Sequence, residues 1–174
     1  MKKILLTLLL VIIIAVGALF VINGKDNYDP SKYHVMATDG INVGSKLSLT
    51  LPDQFDTPHS ITDETQTVIF VFAKATGHTV KAFLKKQPKN YLEERHALFV
   101  ADISPMPTVI RNTFALPDLK KSDYAVLLIY DEAIAKKLKN DAQADKIAIA
   151  KLDHGKIISV EYITTEEELK SKLK

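Results

Sequence analysis

The stretch Lys74-Ala-Thr-Gly-His-Thr brings a lysine, a histidine and two threonines together in six residues of this 174-residue chain. It follows the apolar run Thr67-Val-Ile-Phe-Val-Phe-Ala. A loop running from a buried strand into a helix gathers unpaired N–H groups and can hold an anion. Thr76, Gly77, His78 and Thr79 occupy that position with Lys74 adjacent, and all five are candidate ligand-binding residues. A purely local reading fits the same residues: Thr76 as the N-cap, Gly77 in a tight turn, and His78 facing solvent in the first turn. Asp102 completes the set, at the end of a second apolar run, Ala97-Leu-Phe-Val-Ala-Asp-Ile. Strand ends in open α/β sheets line ligand crevices, so Asp102 can serve as a base or pair with Lys74 or His78. Its local alternative is to cap the turn at Ser104 to Pro107. No catalytic residue is assigned.

The remaining composition excludes more than it suggests. There is no cysteine, hence no disulfide and no thiol chemistry. The five histidines, His34, His59, His78, His96 and His154, are scattered, and no two have the one-turn spacing of a helical zinc site. No metal or cofactor is expected. Arg95 and Arg111 are the only arginines, too few for a phosphate-reading cluster. Glycine-rich phosphate loops and Gly-x-Ser-x-Gly elbows are absent. Of 23 Lys and Arg, Lys2 and Lys3 precede the first apolar run, leaving 21 basic against 21 acidic residues beyond it. A neutral domain has no electrostatic reason to bind nucleic acid.

The elements that must position these groups follow from periodicity. Lys46-Leu-Ser-Leu-Thr-Leu alternates, the stretch from Pro52 to Pro58 supplies turn chemistry, and His59-Ser-Ile-Thr follows, predicting a small strand pair. The runs at 67–73, 97–103 and 124–130 read as buried strands. Between them the pattern predicts a helix carrying Val80, Phe83 and Leu84 and interrupted by Pro88. A short helical piece opens on Asn90 with Glu93, and another helix, carrying Val109, Ile110, Thr113 and Phe114, ends near Leu116-Pro117. Met106, between two prolines, marks a rigid corner. Tyr28, Tyr33 and Tyr91 are candidate interface aromatics. Glu132 to Lys139 forms a further short helix. Lys146 to Leu152 and Lys156 to Ile163 pair as a hairpin about Gly155, and Thr165 with Glu168 caps a terminal helix from Glu166 to Leu173.

Ile4 to Ile22 is uncharged, and only Thr7 and Gly17 break its apolar character. At about 1.5 Å per residue it nearly matches a hydrocarbon core of roughly 30 Å. It reads as a signal anchor, the chain's contact with the membrane. Cleavage near Val16-Gly17-Ala18 and secretion is the alternative. Lys2 and Lys3 keep the N-terminus cytoplasmic, placing the chain in the inner (plasma) membrane with its C-terminal domain periplasmic or extracellular. The organisation is then an anchor at 1–22, a polar linker at 23–42 and one domain at 43–174.

Val43-Gly-Ser-Lys-Leu-Ser-Leu-Thr-Leu-Pro-Asp-Gln-Phe-Asp, the strand Val68-Ile-Phe-Val-Phe and Leu152-Asp-His-Gly-Lys-Ile-Ile, in this order, resemble the thioredoxin-like fold in its peroxiredoxin-type and membrane-tethered thioredoxin-type versions. The chain is also similar to a group of small envelope proteins with this fold and no thiol pair. The resemblance implies an α/β architecture, a mixed sheet flanked by helices, preceded here by one transmembrane helix. Redox members place a cysteine at the start of the helix after the central strand, where this chain has Lys74-Ala-Thr-Gly-His-Thr-Val. They also carry a proline before the late hairpin, where Ala144-Asp-Lys-Ile-Ala has none. Cysteine-dependent oxidoreductase or peroxidase activity is therefore excluded. The expected function is a binding or assembly module with an envelope protein partner. The alternative is a non-thiol enzyme using Lys74, His78 and Asp102.

Overall fold

The computed structural model describes residues 2–26 and 28–174. Met1 and Asn27, within the expected anchor and linker, lie outside the described residues, as do the side chains of Lys2 and Lys3 on which the expected orientation rests. The first element, α1 (Lys2–Asn23), is a continuous helix. Its stretch Ile4–Asn23 is long and apolar enough to cross a membrane, and every residue from Ile4 to Ile22 is exposed.

The segment expected to be a linker is instead folded onto the domain. A 3-10 turn at Pro30–Lys32 leads into β1 (His34–Ala37), which pairs antiparallel with β2 (Leu47–Pro52) from His34 opposite Thr50 to Ala37 opposite Leu47. Tyr33, Val35 and Ile41 are buried. The reason for the discrepancy is that four residues of strand carry too little alternation to stand out in a polar stretch. β3 (Pro58–Ser60) completes this small sheet on the other side of β2.

The main sheet has five strands, in the order β6-β5-β4-β7-β8. β4 (Thr67–Val71), β5 (Ala97–Asp102) and β6 (Leu127–Ile129) run parallel, and β7 (Ile147–Asp153) and β8 (Lys156–Ile163) form an antiparallel hairpin on the far side of β4. β4 is buried at every position, as its unbroken apolar sequence requires. Val68 and Phe70 point into a core closed by β2 and α5 (Glu132–Leu138). Ile69 and Val71 point into a second core beneath α2 (Lys74–Leu84) and α6 (Glu166–Lys172). Gly155 takes φ +74° at the hairpin turn, the left-handed conformation for which glycine has no steric cost.

Two differences from the sequence reading have local causes. The strand expected from Tyr124 to Tyr130 shortens to three residues. The buried Gln54 amide donates to the Tyr124 carbonyl and accepts from the Val126 N–H, each at 2.8 Å, taking groups that a longer ladder would use. Asn90 does not cap a helix through Glu93. The 3-10 turn Glu93–Arg95 starts from Leu92, and Asn90 instead donates to the Glu94 carboxylate.

Between β5 and β6 the chain forms one composite helix: α3 (Thr108–Ile110), a π turn (Arg111–Ala115) and α4 (Leu116–Leu119). The expected stop at Leu116-Pro117 does not occur. Ala115 and Leu116 keep helical backbone and the chain stays helical through Pro117 to Leu119, directly after the π turn.

Candidate functional site

Ala73 is the N-cap of α2, with extended backbone and no side chain able to accept a hydrogen bond. This shifts the helix start three residues ahead of the expected Thr76. Thr76 is buried in the first turn and donates from its hydroxyl to the Ala73 carbonyl at 2.9 Å. Gly77 is helical: its N–H reaches the Ala73 carbonyl at 3.0 Å, so it closes the first turn of helix and makes no tight turn. Thr79 donates to the Ala75 carbonyl. Lys74 and His78 are exposed.

An apolar groove of about 520 Å³ runs beside the first two turns of α2. That volume lies within the roughly 300–1,000 Å³ of small-molecule sites. Val71, Phe99, Ala101 and Val126 from the sheet form part of its lining, with Lys74, Gly77, His78 and Lys81 from α2. Across from them lie Met106, Ile110 and Phe114 of the composite helix and its approach. Of the six candidate residues, the groove brings together Lys74, Gly77, His78 and Asp102, and leaves out Thr76 and Thr79. Asp102 keeps its local role as well, because the Ser104 N–H and hydroxyl both donate to its Oδ1, at 2.9 and 2.7 Å. Lys81 is bound to Asp118. This hydrogen bond is the main cause holding the Asp118 carboxyl below the ordinary aspartate range, with a smaller contribution from the charge of His78.

The composite helix turns out opposite to its sequence pattern. Ile110 and Phe114 are 47% and 62% exposed, whereas Arg111 is 3% exposed. Ile110 and Phe114 lie four residues apart on one face of the helix and Arg111 on another; the π turn begins at Arg111, and such turns occur frequently at functional sites. Arg111 lies 4.7 Å over the Tyr130 ring, and its Nη2 is 2.8 Å from Asp26. Partial burial raises the Asp26 pKa, but the Arg111 guanidinium and the Tyr28 N–H outweigh it and leave the carboxyl lowered. Asn112 donates to the carbonyls of Asn23 and Lys25, both at 2.9 Å. Tyr28 stacks between Tyr130 and Tyr33, with ring centroids 4.7 and 5.6 Å away. The Tyr33 hydroxyl donates to Asp56 at 2.8 Å; burial first, then this bond, pushes its pKa up to about 12. The end of α1 is therefore clasped by the same helical segment that walls the groove.

No protein-family model matches the sequence, and no curated protein matches it. Among solved structures, the chain is similar to an uncharacterized thioredoxin-like protein from Porphyromonas gingivalis, at 17% identity and a TM-score of 0.47, over 71% of this chain and 86% of that one. It is similar to the thioredoxin domain of a thiol-disulfide oxidoreductase from Bacteroides vulgatus, at 14% identity and a TM-score of 0.45, over 76% and 99%. A peroxiredoxin-like protein from Aquifex aeolicus aligns at 14% identity and a TM-score of 0.46, over 80% and 90%. The connectivity carries the assignment: a parallel strand-helix-strand unit, then an antiparallel hairpin beside its first strand, then a terminal helix. The fold is thioredoxin-like, without a cysteine.

In this thioredoxin-like fold, sequence reasoning found the α2 side of the groove and missed the opposite wall. By sequence Met106 reads only as a corner, and Ile110 and Phe114 as the apolar stripe of a helix. An available signal was Arg111 between them. A charged residue inside an apolar helical run breaks the stripe, and here Arg111 takes the inward face beside Tyr130 and Asp26.

Proposed function

We propose that this chain is a membrane-anchored, extracytoplasmic binding module of the cell envelope, using the helix-start corner of its thioredoxin-like fold to hold an apolar ligand or partner segment without thiol chemistry. One observation carries the reading: an open apolar groove lies beside Lys74, Gly77 and His78, where the chain has no cysteine. The length and apolar character of Ile4–Asn23 support the anchor, and the two lysines ahead of it support an outward-facing domain.

Two experiments test this. The absence of cysteine makes single-cysteine topology mapping clean. Lys89→Cys removes only an exposed pair with Asp123, a type of contact worth little. A membrane-impermeant maleimide is expected to label it in cells whose plasma membrane is intact, and labelling only after lysis overturns the orientation. For binding, a photoreactive residue at position 114 of the full chain is expected to capture a discrete species in vivo, and Gly77→Leu, which fills the groove, is expected to abolish that capture. Capture unchanged by the filled groove contradicts the reading.

The alternative, a non-thiol enzyme, has in its favour that Lys74, His78 and Asp102 line one groove. Against it stands the engagement of Asp102 Oδ1 by both Ser104 donors. Turnover of an ester substrate abolished by both His78→Ala and Asp102→Asn would restore it.

A further inference from the structure

Resting on that reading and naming its ligand, we propose that the groove takes a single-chain anionic amphiphile, a long-chain fatty acid drawn from the membrane in which α1 is anchored. Three features converge on this class. The interior is lined chiefly by apolar side chains, among them Phe99, Met106 and Ile103. Its volume, about 520 Å³, falls in the lower part of the small-molecule range and suits one chain better than the two of a bilayer phospholipid.

The second feature is position. Ile110 and Phe114 are exposed apolar residues that line the groove. They flank Arg111 and Asn112, which hold Asp26 and the carbonyls of Asn23 and Lys25 at the end of α1. A residue three or four positions away in a helix lies within about 5 Å along the axis. The two apolar side chains therefore sit at the level where the anchor leaves the bilayer, and an acyl chain can pass between membrane and groove with little exposure to water.

The third feature is charge. Lys74 and His78 take no ion pair among the described residues, whereas Lys81 is held by Asp118. α2 has no side-chain cap and no acidic residue in its first turn, so its positive dipole end adds to these two groups. A carboxylate head fits there. Of the two acidic groups on the groove, Asp102 is engaged by the two Ser104 donors and Asp118 is paired with Lys81.

The test uses the full chain in phosphatidylcholine nanodiscs. They are doped in separate arms with palmitate carrying a chain diazirine, the matching fatty alcohol, and a phosphatidylcholine carrying the same diazirine. After irradiation, palmitate is expected to label Met106, Ile110 or Phe114 in addition to α1. Gly77→Leu and, independently, Phe114→Asp should lower the domain labelling by about tenfold while α1 labelling persists. Lys74→Ala with His78→Ala should weaken labelling by palmitate and not by the alcohol. Labelling confined to α1, or unchanged in both groove variants, overturns the proposal. Domain labelling by the phospholipid equal to that by palmitate overturns the single-chain assignment. If fatty acid labels only α1 while position 114 still captures a protein in a groove-dependent way, the acyl ligand is wrong and the binding module stands.

Discussion

α2 and α6 share one core on the same face of the main sheet, yet their first turns are built in opposite ways. α6 opens with a reciprocal cap: the Thr165 hydroxyl accepts the Glu168 N–H, and the Glu168 carboxylate accepts the Thr165 N–H. Three glutamates in that turn oppose the helix dipole. α2 begins on Ala73, which has no side chain to offer, and has no acid near its start. One helix end is closed by a side-chain cap; the other lies uncapped beside an apolar groove. At α2 the stability a cap would add is forgone, a departure from local optimality that is expected where a site is built.

This contrast can be broken or sharpened by substitution, with denaturation midpoints of the full chain in detergent as the readout. The largest effect is expected for Leu169→Ala. Leu169 is fully buried beneath α6, so truncation should cost about 2–5 kcal/mol. Thr165→Ala removes the cap and should cost about 1 kcal/mol. Ala73→Asp should instead stabilise by up to about 1 kcal/mol by capping α2 and, by placing an anion at the groove, weaken palmitate labelling. Gly77→Ala is expected to give the smallest change, a gain of about 0.5 kcal/mol or somewhat more. A Cβ there meets only Val71 Cγ2, at 3.8 Å.

The cap also predicts a pH dependence confined to α6. Glu168 accepts the N–H of Thr164 and bonds from Thr165, and these hold its carboxyl below the ordinary glutamate value. A depressed folded-state pKa means that the stabilisation is complete above the unfolded value of about 4.3 and is lost as pH falls through the lower folded value. Glu168→Gln should therefore lower the stability at neutral pH and flatten the acid limb of the profile. An unchanged acid limb would show that the cap bonds do not distinguish the charged form.

The two helix ends also differ in how far they could be read from residue types. The α6 cap was legible because Thr165 and Glu168 are three apart and bond only to their own turn, so the chemistry is local. The same holds for the apolar strand at 67–71, the Gly155 hairpin and the span Ile4–Ile22, whose composition alone meets the length of a bilayer core. The missing thiol was likewise plain from the sequence. The α2 start was misplaced because Thr76 has the right type for an N-cap, but its hydroxyl bonds back to Ala73. The Tyr33–Ile41 stretch reads as linker because the four residues of β1 carry too little alternation to stand out in a polar stretch. The outer groove wall depends on the Arg111 and Asn112 contacts, which bury Arg111, leave Ile110 and Phe114 facing out and tie the helix to the end of α1. Local periodicity and composition thus determined the elements and excluded thiol chemistry. Only the tertiary structure decided that Lys74, His78, Asp102 and Phe114 share one groove, because that meeting depends on contacts between segments distant in sequence, which no local pattern encodes.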